Sequence, residues 1–217
     1  MKTDSQLQQD VMAELKWEPA VDAAQIGVAV KDGVVSLSGE VGSFAEKWEA
    51  ERVTLRVGGV KALSVGLEVR LTELGRRSDA DIARSAENVL DWMTSLRPES
   101  IKVMVEGGWI TLSGDVDWQY QKSAAAEGLR NLAGVTGLSN QISLNHPATA
   151  PVVKADIEAA LKRRAREESA DIKVAVDQSS VTLTGDVRSW AERELVISSA
   201  WGSTGVQKVV DKLTLVD

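Results

Sequence analysis

Few side chains in this chain are able to do chemistry, and their spacing limits what they can do. Three close carboxylate pairs occur: Glu49 with Glu51, Asp115 with Asp117, and Glu192 with Glu194. Such pairs share a proton or hold a cation when a desolvated pocket raises one pKa. These fall at helix starts and on helix faces, where acidic groups instead favour the helix dipole. The single histidine, His146, stands beside Pro147 in a polar connection, and there is no cysteine. A hydrolase triad and a His/Cys metal site therefore lack their parts. No G-x-S-x-G elbow, P-loop or G-x-G-x-x-G phosphate loop is present. The expectation is of no catalytic residue, no metal ligand and no cofactor: the chain is not an enzyme.

What remains is recognition by surface. Seven tryptophans stand against one tyrosine and one phenylalanine. Trp118, Tyr120 and Trp190 follow closely on a glycine that recurs along the chain, and Phe44 holds the corresponding place near the N-terminus. An indole has an apolar body and a polar N–H, which suits a lipid headgroup layer. The same ring suits contact between neighbouring folded units, or the filling of small cores. Trp17, Trp92 and Trp109 are assigned to core or edge packing, and Trp48 and Trp201 to second helices with partial exposure. The run "LKRRAREE" at 161–168 concentrates Lys162, Arg163, Arg164 and Arg166 at the end of a helix. Cations there favour the dipole, and beside an acidic membrane each is worth about 1 kcal/mol.

Charge narrows the partners. The chain carries 25 basic and 32 acidic residues, net −7, so it repels phosphate backbones and nucleic acid is not expected as a partner. No run approaches the ~20 apolar residues of a membrane span, and the N-terminal stretch lacks the apolar core of a signal peptide. A cytoplasmic location is the expectation, or a periplasmic one if a leader has been removed.

The elements that position these residues come in three copies. "VVSLSGEV" at 34–41 returns as "WITLSGDV" at 109–116 and "SVTLTGDV" at 180–187. Gly39, Gly114 and Gly185 are each followed 20 positions later by Gly59, Gly134 and Gly205, and then by Val60, Val135 and Val206. Self-similarity in register means one fold repeated. Leu7, Val11 and Leu15, then Ile82, Ala86 and Leu90, then Val153, Ile157 and Leu161 lay one apolar stripe on an opening helix. Asp4 or Ser5 begins the first and Ser78 or Asp79 the second. Two alternating runs follow, joined by Asp32-Gly33, by Gly107-Gly108 and, less typically, by Gln178-Ser179-Ser180, as in a β-hairpin. Gly39, Gly114 and Gly185 let the backbone leave the sheet, with positive φ expected. A second helix carries Ala50, Thr54 and Val57, or Ala125, Leu129 and Leu132, or Val196, Ala200 and Ser203. Gly59, Gly134 and Gly205 stop it in the manner of a C-terminal cap, and a last strand closes the unit. The fold class is α+β: three tandem αββαβ units over 1–75, 76–147 and 148–217, each a small three-stranded mixed sheet packed on two helices.

The αββαβ order, the "v.L.G.V" phrase after a hairpin and the "GV" phrase 20 residues later resemble the BON domain family, in three tandem copies. "GDVDWQYQKSAAAEGLRNLAGV" in the middle copy is similar to cytoplasmic-looking triple-BON proteins of bacteria. The resemblance implies osmotic or envelope stress, phospholipid binding, attachment to membranes or secretion and channel assemblies, and in one branch potassium sensing. It carries over no catalytic residue. The expected function is a non-enzymatic binding or scaffolding protein engaging an anionic phospholipid surface or a protein partner. The alternative is a soluble module sensing a protein, a small ligand or a monovalent cation such as potassium.

Overall fold

Three copies of one small sheet, each with helices on one face, make up the computed structural model, which describes residues 2–145, 155, 157–159, 172–203 and 205–216. The first unit runs α1 (Asp4–Trp17), β1 (Ile26–Lys31), β2 (Val34–Val41), α2 (Phe44–Arg56), β3 (Ala62–Val69). The second runs α3 (Asp79–Asp91), β4 (Ile101–Glu106), β5 (Trp109–Val116), α4 (Gln119–Arg130), then β6 (Gly137–Asn140) and β7 (Ser143–Leu144). The third shows β8 (Lys173–Asp177), β9 (Ser180–Val187), α5 (Trp190–Trp201) and β10 (Lys208–Leu215). Of its opening segment, residues 157–159 are helical and Ile157 is buried.

In every unit the two hairpin strands pair antiparallel, and the last strand pairs parallel to the second. A parallel return needs a crossover, which the second helix supplies. Burial follows the two periods of the sequence. Leu7, Val11 and Leu15 of α1 face Val35, Leu37 and Val41 of β2, and Ile82, Ala86 and Leu90 of α3 face Ile110, Leu112 and Val116 of β5. The second helices bury Ala50, Val53 and Thr54, then Gln121, Ala125 and Leu129, then Val196, Ser199 and Ala200. Thr54 is tolerated because its hydroxyl donates to the Ala50 carbonyl at 2.7 Å.

The N-caps are Thr3 and Ser78, one position earlier than Asp4 and Asp79, which have a different task. The Asp4 carboxylate accepts the Asp32 and Gly33 amides at 2.8 and 3.1 Å, and Asp79 accepts those of Gly107 and Gly108 at 2.8 and 2.9 Å. The hairpin tip is thus tied to the start of the opening helix. Asp32 and Gly33 have φ of +53° and +79°, and Gly107 and Gly108 +58° and +79°, the two left-handed residues that a tight hairpin requires. The third turn has two residues, not three: Asp177 pairs with Ser180, and Gln178 takes φ +52°.

Gly39, Gly114 and Gly185 have φ of +120°, +119° and +135°. A Cβ on Gly39 or Gly114 would collide with the carbonyl oxygen of Gln25 or Ser100, because the first hairpin strand passes directly behind the bend. The later glycines do not cap the second helix, which ends at Arg56, Arg130 and Trp201. They sit one turn on, where Val60 N donates to Val57 O at 3.3 Å around Gly59, the third position of a turn that calls for positive φ. The last strand of the second unit is also broken. Asn140 accepts the Ile142 amide at 3.2 Å and donates to Lys122 O at 2.9 Å, so the backbone detours while Ile142 stays buried.

Gly114→Ala is expected to lose roughly 2–4 kcal/mol in urea unfolding, since strain and backbone collision coincide. Gly58→Ala, with open space around it, should be near neutral.

Candidate functional site

The second helices turn their outer faces toward one another, and this junction gathers aromatic and charged side chains from all three units. Helix α2 is its centre. Its first residue, Phe44, packs against the core of the second unit, and one turn later Trp48 lies under the Arg130 guanidinium of α4, 3.4 Å from the ring centroid. Along the same helix, α2 packs against α5 of the third unit. There Trp190 donates its indole N–H to the Val60 carbonyl at 3.0 Å. Between α2 and α5 lies an open cleft of about 570 Å³ bordered by Trp48, Glu51, Arg52, Leu55, Trp190 and Arg193.

The cations of this cleft are held by the chain itself. Arg52 pairs with Glu49, Arg56 with Glu14 at 2.5 Å, and Arg193 with Asp211 at 2.7 Å while lying 4.9 Å over the Trp190 ring. The hydrogen bond from Arg52 holds the Glu49 carboxyl below its usual range against the opposing effect of burial. Glu51 is the opposite case: burial at the cleft pushes its carboxyl up, with Lys47 opposing. Burial likewise pulls the Arg130 guanidinium down, leaving it a cation at any physiological pH. A guanidinium so placed over indole is worth about 1–2 kcal/mol. The arrangement fastens units together and borders a groove.

Of the described residues that the sequence suggested for a surface site, the structure brings Trp190 into this junction and leaves Trp118 and Tyr120 out of it. Trp118 is the half-buried N-cap of α4, its amide donating to Gln121 Oε1 at 2.8 Å. Tyr120 is 59% exposed. Lys162, Arg163, Arg164, Arg166 and His146 lie outside the described residues. Arg97 bridges Asp115 and Asp117 at 3.3 and 3.4 Å, and the Glu192 carboxylate accepts the Arg188 amide at 2.7 Å while its own amide donates to Ser189 Oγ at 3.1 Å.

Two tryptophans assigned to packing stand in water instead, and a third packs with only half of its ring covered. Trp17 is 82% exposed and Trp92 86%; each follows the last buried residue of its opening helix by two positions, which rotates it off the apolar stripe. Trp109 is half exposed on the outer face of its sheet, lying over Gly137, where any side chain would strike the ring. Trp48 and Arg130 gave no signal, since nothing in sequence separation announces a pair across units.

Among the described residues no group of three or more His, Cys, Asp or Glu side chains forms a metal site, and no helix is long and apolar enough to cross a membrane. A family model for the BON domain matches residues 3–70, 78–145 and 151–217. The chain is similar to osmotically-inducible protein Y of Escherichia coli (strain K12), with 30% identity over 143 residues, 64% of this chain and 71% of that protein. Among solved structures it is similar, at 15% identity and TM-score 0.28, to the C-terminal domain of CdsD, a structural protein of the type III secretion system of Chlamydia trachomatis, over 100% of both chains. It is also similar to the PrgH periplasmic domain at 15% identity and TM-score 0.24, over 89% of this chain and 96% of that one.

Trp190→Phe keeps the ring and deletes the donor, leaving the buried Val60 carbonyl without it; a loss of about 1–3 kcal/mol in urea unfolding is expected. Glu51→Gln should stabilise at pH 7. A carboxyl raised by folding contributes its stability below the unfolded pKa and loses it as pH rises through the folded value, so the gain from Gln should vanish below about pH 4 in thermal melts taken against pH.

Proposed function

The chain belongs to the BON domain family, and from that premise we propose that it is a non-enzymatic binding protein of stress physiology whose units engage an anionic phospholipid surface. Similarity to an osmotically-inducible protein supports the stress setting. The observation that carries the surface reading is the pair Trp17 and Trp92. They occupy the same place in two units, at the end of the opening helix, and more than four-fifths of each lies in solvent.

A single exposed apolar residue means little. Two indoles at one repeat position, each preceded by a charged residue, Lys16 or Asp91, are the amphipathic tips that favour a headgroup layer. In the third unit the register set by Leu7, Ile82 and Val153 puts Arg163 at this position, within Lys162, Arg163, Arg164 and Arg166. Two ring anchors and one cationic anchor on tethered units act together, each raising the effective concentration of the next. Net charge of −7 opposes approach to an acidic surface, so the anchors are weak singly and binding is salt-sensitive.

Co-sedimentation with phosphatidylglycerol vesicles at low salt tests this. Binding is expected, falling as salt rises. Trp17→Ala with Trp92→Ala should weaken it about tenfold, ~1.4 kcal/mol, and Arg163→Glu with Arg164→Glu should remove most of the salt dependence. Absence of binding at low salt would remove the lipid reading.

A further inference from the structure

Two contacts between units, among the described residues, are of one kind, and that kind is not self-complementary. Gly39, Gly114 and Gly185 set the equivalence of positions. On this basis Phe44 and Trp190 are the same residue of the repeat, and Leu55, Arg130 and Trp201 are another. The third unit offers the start of its second helix, Trp190 and Glu194, to the later turns of α2, with Leu55 in the groove between them. The first unit in turn offers the start of α2, Phe44 and Trp48, to the second unit, where Arg130 receives it. Helix start meets helix end both times. Such heterologous contacts do not end in a pair; they continue until they close into a ring or run on as a filament.

Within the chain the series leaves one helix start and one helix end. The start belongs to α4, where Tyr120 is 59% exposed and Ser123 is exposed. Its counterparts, Ala45 and Ala191, are small. The end belongs to α5, where Ser198 is exposed and Trp201 is half-buried against its own core. Val206 follows it at the position whose counterpart, Val60, receives the Trp190 N–H. Tyr120 brings a flat aromatic body and a hydroxyl donor, the two properties that Trp190 uses at the contact already formed.

We propose that the protein associates head to tail with further copies of itself, the α4 face around Tyr120 of one copy seating on the α5 face around Ser198 and Trp201 of the next. The occupant is a second copy because the seat repeats the polarity of the two contacts that hold the units of one chain together, a helix start on a helix end, with Gln119 at the place of Phe44 and Trp190 and the aromatic ring moved one residue on, to Tyr120.

The test is sedimentation velocity of the full chain without lipid, up to ~1 mM, the weak end of the affinity range. The wild-type chain should show a mass rising above 23.3 kDa with concentration. Tyr120→Glu and Ser198→Arg, both at exposed positions, should each weaken association at least tenfold while leaving the thermal melt unchanged. An equimolar mixture of the two variants keeps one good start and one good end, and should stop at twice the chain mass. A chain that stays at 23.3 kDa throughout, association that neither variant weakens, or a mixture that fails to pair would overturn the proposal.

Discussion

Trp48 lies at the place where the three units must agree. Its ring carries the Arg130 guanidinium from the second unit on its face and borders the groove against α5 of the third. Units of this size bury only roughly 60% of the surface that their unfolded chains expose, so each alone is marginal. A fixed junction moves apolar and aromatic surface of the second helices out of water without enlarging any one core. It also sets the polarity of the array, because an indole and a guanidinium are not interchangeable partners. Two further contacts lie to either side of it, Phe44 on the second core at the start of α2 and Trp190 on Val60 just past its end.

The repeat made most of the fold legible. Two periods, 3.6 and 2, recur in register, and positions that share a period and a unit share burial. The bend glycines were readable because only a missing Cβ permits positive φ with a strand passing behind. What escaped was everything decided by a single side chain's reach. Asp4 and Asp79 look like caps by type and place; that their carboxylates span to a hairpin tip depends on the tip arriving there. Asn140 breaks a strand that alternation alone would continue, because its side-chain oxygen takes the Ile142 N–H from the ladder while its NH2 is anchored on the Lys122 carbonyl of α4.

Tryptophan was the least legible residue for a related reason. Its size argues for burial and its N–H for an edge, so type alone leaves the place open. Trp17 and Trp92 lie two positions beyond the last buried leucine, about 200° around the helix at 100° per residue. That rotation predicts exposure, and it outranks side-chain hydrophobicity in a helix whose apolar stripe is already filled by Leu15 or Leu90.

Where equivalent positions have diverged shows where the units differ in purpose. Lys47 and Lys122 both donate to a carbonyl of the last strand, at Leu67 and Ile142, and Arg193 at the same position pairs with Asp211 from that strand. The task is kept while the chemistry changes, as expected of a contact within a unit. On the outer faces the tasks themselves change: position 44 is Phe, Gln and Trp through the three copies, position 48 is Trp, Ser and Glu, and position 55 is Leu, Arg and Trp. A face that only met water would have little reason to hold three large, different side chains at one site. Where a second helix does meet another unit the residue suits the contact, Phe44 on the second core, Trp48 under Arg130 and Trp190 on the Val60 carbonyl, so these positions order the units, and the sheets hold the helices at the required spacing.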